Sequence, residues 1–179
     1  MQRSAGLTLV LGLWLGATLA ILAVITYNFR GIEPSVGNNR KLAEHLDVAA
    51  DKIGERDVRR TSVLYVYAGE LNRAQFYVWN RVQLLLAATA LLVALLRCPR
   101  AGVVVSLMGA AVLVLAMTFY LAPEITHLGR LLDFQERTAP GAQENFRRFE
   151  LLHRSYGVCE LAKSALVAVA AFLALRRKK

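Results

Sequence analysis

Apolar residues in this sequence neither alternate with polar ones at the strand period of two nor form narrow stripes at 3.6. They gather into four blocks: Leu7 to about Phe29, Trp79 to Leu96, Ala101 to about Ala122, and Tyr156 to Leu175. Each is close to the length, about 20 residues, that a helix needs to cross hydrocarbon. Four blocks are too few to close a barrel, and an open sheet would leave backbone groups unpaired in lipid. The pattern therefore predicts an all-α fold, an integral membrane four-helix bundle forming a single transmembrane domain over residues 1–179. The first two blocks are separated by about fifty residues, too many for a plain connection. Within them Leu42, Leu46, Ala49 and Ile53 recur at helical spacing among Lys41, Glu44, Asp47, Asp51 and Glu55, behind Asn38 and Asn39 as caps. This predicts an extramembrane amphipathic helix over 38–60. Ser62 to Asn80 predicts a further helix leading into the second block, with Tyr65, Tyr67, Tyr77 and Trp79 as an aromatic belt at the lipid boundary.

Composition agrees with this picture: 56% of the 179 residues are hydrophobic, which argues against a water-soluble monomer. The net charge of +9 changes it only through location. Arg3, Arg97, Arg100, Arg176, Arg177, Lys178 and Lys179 all fall on one side of a four-span arrangement, unaccompanied by any acidic residue. The other basic residues are nearly matched by all thirteen acidic ones. Cytoplasmic loops carry the Lys and Arg excess, so both termini are expected in the cytoplasm of an inner or plasma membrane protein. Charge confined to short juxtamembrane segments sets topology and argues against a nucleic-acid partner. The first block has the basic start of a signal peptide, but its apolar run is too long, and an uncleaved anchor is expected.

Small residues at spacing four, Gly12, Gly16 and Ala20 in the first block and Gly102, Ser106 and Ala110 in the third, predict close helix contacts. Ala87, Ala90 and Ala94 in the second block point the same way. A homo-oligomer contact is the alternative use of such stripes. Ionisable residues inside spans are where function concentrates. Arg81, Glu160 and Lys163 stand out, with Tyr156 on the same face of the last helix. Counted back from a common inner boundary, Arg81 and Glu160 lie at equal depth, and they are expected to pair, with Lys163 sharing the carboxylate from i+3 or reaching outward. Phe149, His153, Tyr156, Glu160, Lys163 and Val167 form one polar seam whose readings are a relay or small-ion site and a set of structural hydrogen bonds.

His127 and His153, at matching heights on antiparallel helices, form the alternative site, a metal or haem iron. No further ligands complete a zinc pattern, so no metal or haem is assigned as cofactor. His45 is expected on the exposed outer helix. Cys98 and Cys159 belong to opposite boundaries and are expected as free thiols. Phosphate loops, zinc helices and nucleophile elbows are absent from the sequence, and the protein is not expected to be an enzyme.

The stretches YLAPEITHLGRLLD and FRRFELLHRSYGVCELAK resemble the transmembrane protein 205-like family of small membrane proteins, through Pro123, Leu128, Arg130, Phe149, His153 and Ser155. AGELNRAQF, ahead of the second block, is similar to that family's approach to its second helix. Pro34 fits the proline expected behind the first helix, whereas the charged helix after Asn39 is longer than the family pattern. The resemblance implies a four-helix membrane protein of unestablished activity, with Pro123, Phe149, His153 and Ser155 as characteristic positions. Pro123 is expected to kink its helix and free a carbonyl, with His153 as its partner. The leading functional expectation is a scaffold or small solute or ion handler acting through the polar face of the last helix. The alternatives are a haem or metal redox protein using His127 and His153, and an accessory subunit docking a protein partner through residues 40–60.

Overall fold

The computed structural model of the chain describes residues 2–30, 56–133 and 141–176. These are helical almost throughout, with no strand among the described residues. Helix α1 runs Gln2–Arg30 and α2 Arg56–Arg97. Helix α3, Ala101–Ala116, passes through a π-helical turn, Met117–Leu121, directly into α4, Ala122–Leu132. Helix α5 runs Ala142–Leu175. Among the described residues four stretches are long and apolar enough to cross a membrane: Ala5–Asn28, Val66–Arg97, Ala101–Leu132 and Ala142–Leu175.

The last three are longer than the apolar blocks because helix formation does not stop where hydrophobicity does. The segment ahead of the second block is continuous with it in α2. Pro123 does not end its helix. A proline there cannot donate a backbone hydrogen bond and would crowd the preceding turn. The chain widens just before it, and the Ala122 N–H reaches back to the Met117 carbonyl, five residues earlier. The amphipathic helix expected over 38–60 lies outside the described residues as far as 55, and 56–60 open α2.

The chain divides into two compact units, Met1–Leu19 with Phe76–Lys179, and Ala20–Gln75. In the second, Asn28 Nδ2 donates to Asn72 Oδ1 at 2.8 Å and to Gln75 Oε1 at 3.2 Å, tying the end of α1 to α2.

In the first unit α1, α3 and the π turn bury large side chains, among them Leu7, Leu11, Trp14, Leu107 and Met117, whereas α2 and the later part of α5 bury alanines and point large apolar side chains outward. On α2, Ala87, Ala90 and Ala94 are buried while Leu85, Leu92 and Leu95 are exposed. On α5, Val167, Ala170 and Ala174 are buried while Leu161, Val169 and Phe172 are exposed. Helices α3 and α5 approach closely at two glycines. A Cβ at Gly102 would stand 3.1 Å from Leu173 Cδ1, and one at Gly109 would stand 3.2 Å from Leu166 Cδ1. The stripe expected over Gly102, Ser106 and Ala110 thus packs within the chain, with Ser106 and Ala110 buried. The α1 stripe has no such contact among the described residues: a Cβ at Gly12 or Gly16 would meet nothing within 4 Å. Gly12, Gly16 and Ala20 are exposed, because α1 buries Leu7, Leu11, Trp14 and Thr18, a face rotated away from the glycines.

At one end of this unit Arg100, immediately before α3, closes the last helix. Its guanidinium donates to the carbonyls of Leu173 at 2.8 Å, Ala174 at 3.2 Å and Arg176 at 2.9 Å. The final carbonyls of any helix lack intrahelical donors and carry partial negative charge, so a cation there both bonds and compensates them. Replacing Arg100 by Ala is expected to lower stability by about 1.5–3 kcal/mol, the range for hydrogen bonds to a charged group. Denaturant or SDS titration of the purified protein measures this, and Arg100→Lys, a point charge without the guanidinium fork, should recover only part of the loss.

Candidate functional site: a buried lysine held by three helices

Lys163 sits on the inward face of α5 and is completely buried. An ammonium taken out of water must recover its lost hydrogen bonds, and the surrounding sequence supplies them. Its Nζ donates to Glu160 Oε1, one turn earlier on the same helix. It donates to Gln83 Oε1 of α2 at 2.5 Å and to Thr18 Oγ1 of α1 at 3.3 Å. Thr18 can accept because its own hydroxyl hydrogen is spent on the Trp14 carbonyl, 2.9 Å away. Three ammonium hydrogens thus meet three oxygens drawn from three helices. Two indoles enclose the group: the ring centroids of Trp14 and Trp79 lie 5.8 and 5.7 Å from Nζ, within reach of a cation–π attraction.

Local periodicity explains why these residues converge. Trp14 and Thr18 are four apart on α1, as are Trp79 and Gln83 on α2, while Glu160 and Lys163 are three apart on α5; each pair shares one helix face. Three polar atoms of the centre are buried and have no hydrogen-bond partner among the described residues: Gln83 Nε2, Trp14 Nε1 and Glu160 Oε2. The Glu160 side chain retains 14% exposure, so the carboxylate is the edge of the site.

One turn further along, the Tyr156 hydroxyl donates to Asn80 Oδ1 at 2.9 Å, both residues being buried. Phe76 stands edge-on to the Tyr156 ring, with centroids 5.3 Å apart. Met117 and Leu121, brought to one side by the π turn, pack on the same tyrosine with Cys159 alongside. Of the seam expected on the last helix, Tyr156, Glu160, Lys163 and Val167 face inward, whereas Phe149 is half-buried and His153 exposed.

Arg81 is a correction. It does not pair with Glu160. Its guanidinium lies 3.4 Å above the ring of Tyr77 and its Nη1 donates to the Tyr77 carbonyl at 3.4 Å, on the exposed side of α2. The reason is azimuth: at about 100° per residue Arg81 points about 160° away from Gln83, which faces Lys163. Trp79, expected in an outward aromatic belt, is instead a buried wall of the site, while Tyr67 and Tyr77 are exposed.

His153 stacks on Phe149, with centroids 5.8 Å apart, and is exposed, so it does not serve a carbonyl freed by Pro123. Pro123 and His127 are exposed and Ser155 is half-buried. Among the described residues no group of three or more His, Cys, Asp or Glu could hold a metal ion. Cys98 and Cys159 are free thiols. His45 lies outside the described residues. Glu124 and Arg148 form an exposed ion pair at 2.9 Å between α4 and α5, away from the lysine site.

No protein family, no curated protein and no solved structure matches this chain.

The geometry separates charges that matter from charges that do not. Lys163→Met leaves the Glu160 carboxylate part-buried without its cation and is expected to cost about 3–5 kcal/mol. Lys163→Met combined with Glu160→Gln should lose less than the single lysine change, because no uncompensated charge remains. Arg81→Ala should stay within about 0.5 kcal/mol of the parent. A double-mutant cycle by reversible unfolding in detergent reads all three.

Proposed function

We propose that the chain is an integral membrane four-helix bundle with both termini on the cytoplasmic side, and that it handles a small solute or ion at the Lys163–Glu160 centre rather than acting as an enzyme. The observation that carries this reading is a fully buried lysine, paired with a carboxylate and liganded by oxygens of two other helices. At the centre of a spanning helix each such charge costs about 2.5–3.5 kcal/mol. A purely structural contact between helices is obtained more cheaply from the alanines and glycines that this chain already uses elsewhere. Lipid placement is supported by the outward Leu, Val and Phe side chains on all four spans, an apolar surface that a soluble monomer rarely exposes. Membership of the transmembrane protein 205-like family is part of the same proposal and rests on the residues around Pro123 and His153.

The test is flux through vesicles containing the purified protein. Internal pH is followed by an enclosed indicator and small-solute entry by light scattering after an osmotic step. Wild type should exceed empty vesicles in at least one of these. Glu160→Gln, which preserves shape and removes the charge, should fall to the level of empty vesicles while remaining monodisperse in detergent. Equal flux in the wild type and the glutamine variant would overturn the reading.

A further inference from the structure

We propose that the Lys163 centre binds a small neutral amide, a molecule whose carbonyl oxygen takes hydrogen bonds from Trp14 and Gln83 while its N–H donates to the Glu160 carboxylate. The inference rests on the reading of this centre as the place where a small solute or ion is handled, and it names the chemical class of the solute.

The residues that serve the ammonium leave three of their own polar atoms unserved. Among the described residues Gln83 Nε2, Trp14 Nε1 and Glu160 Oε2 are buried and have no hydrogen-bond partner. Gln83 is 0% and Trp14 1% exposed, so neither donor reaches bulk water. Turning the Gln83 amide over does not repair this. Its Oε1 accepts from Lys163 Nζ at 2.5 Å, and an ammonium only donates, so the oxygen must face the lysine and the NH2 must face elsewhere. Glu160 is placed alike: one oxygen accepts from Nζ, and the other, on the same carbon, is left over. Covalent geometry keeps Gln83 Nε2 and Glu160 Oε2 each within about 5 Å of Nζ. Trp14 Nε1 belongs to a ring whose centroid lies 5.8 Å from Nζ. The three atoms are thus grouped around one nitrogen.

What they lack defines the ligand. The indole and amide nitrogens are donors and call for an acceptor, whereas the carboxylate oxygen calls for a donor. A bare cation would meet N–H hydrogens, and an anion would meet a carboxylate. Net charge gives the same answer: the ammonium and the carboxylate already neutralise one another, and an added ion would stand uncompensated in a buried site. A neutral molecule with both functions fits. A carbonyl oxygen has two lone pairs and can accept from both nitrogens, and a primary amide carries N–H hydrogens on the adjacent atom. Such a group is planar, which suits the flat indoles of Trp14 and Trp79 on either hand of the centre. Glu160, whose side chain keeps 14% exposure, is the side from which the solute enters. Lys163 is a positioning residue here: it holds the glutamine and the carboxylate in these orientations, and its charge does not change.

Trp14 and Trp79 are the only two tryptophans of the sequence, so intrinsic emission reports on this site alone. Titrating the purified full-length protein in detergent with acetamide should change that emission saturably. Sodium acetate, of similar size but anionic and without an N–H, should give no saturable change over the same range. N,N-dimethylacetamide, which keeps the carbonyl and lacks the N–H, should give none either. Trp14→Phe keeps an aromatic ring, removes one donor and leaves Trp79 as reporter; the half-saturating acetamide concentration should rise about fivefold, as for the loss of one hydrogen bond. A centre satisfied by water alone would give no saturable change with acetamide in wild type. That result, an equal change with either control compound, or an unaltered half-saturation in Trp14→Phe overturns the proposal. If vesicles show flux dependent on Glu160 while acetamide leaves the emission unchanged, the amide is wrong and the handling of another solute or ion stands. Saturable acetamide binding without any flux keeps the amide site and overturns the handling, and the absence of both overturns both.

Discussion

A primary ammonium buried among helices has three hydrogens and one charge to satisfy, and the architecture of the larger unit follows from how that demand is met. Lys163 cannot be served by its own helix alone. Glu160 fills one direction, and Gln83 and Thr18 must come from α2 and α1. The helices are therefore not interchangeable cylinders. Their rotations about their axes are set by the need to present a threonine, a glutamine and two indoles to a single nitrogen.

Distance between helices is governed by different residues. Where α3 and α5 meet, glycine at 102 and 109 lets leucines from the facing helix come within van der Waals reach of the backbone. Alanine does the same work along α2 and the later part of α5. Dispersion between close backbones acts there. The π turn at Met117–Leu121 reconciles Pro123 with an uninterrupted helix and turns Met117 and Leu121 together onto Tyr156. Such a turn is a local cost accepted for side-chain placement.

Much of this was legible in the residues. Hydropathy located four helices because the price of burying backbone and charge in hydrocarbon leaves a long, coarse signal. The Glu160–Lys163 contact was legible from i,i+3 spacing, since both partners lie on one helix. Arg81 misled because depth along a helix can be counted from a sequence, whereas the direction a residue faces depends on which neighbour packs where. A finer signal was available: Gln83 is a polar residue inside an otherwise apolar run and shares its face with Ala87, Ala90 and Ala94. Thr18 gave less away, because a hydroxyl that bonds its own helix is unremarkable in any span. The bond it accepts across the unit is a tertiary fact.

The closure of α5 by Arg100 bears on how this molecule can move. Three carbonyls at the end of that helix are pinned to Arg100, the residue immediately before α3. Sliding α5 along its axis by even one turn, about 5.4 Å, would break every one of those bonds and drag leucines out of the two glycine notches. Piston-like travel of the lysine is thereby disfavoured. Helix α1 is held by other means: among the described residues nothing lies within 4 Å of a Cβ at Gly12 or Gly16, and the helix meets the lysine through the face that carries Leu7, Leu11, Trp14 and Thr18.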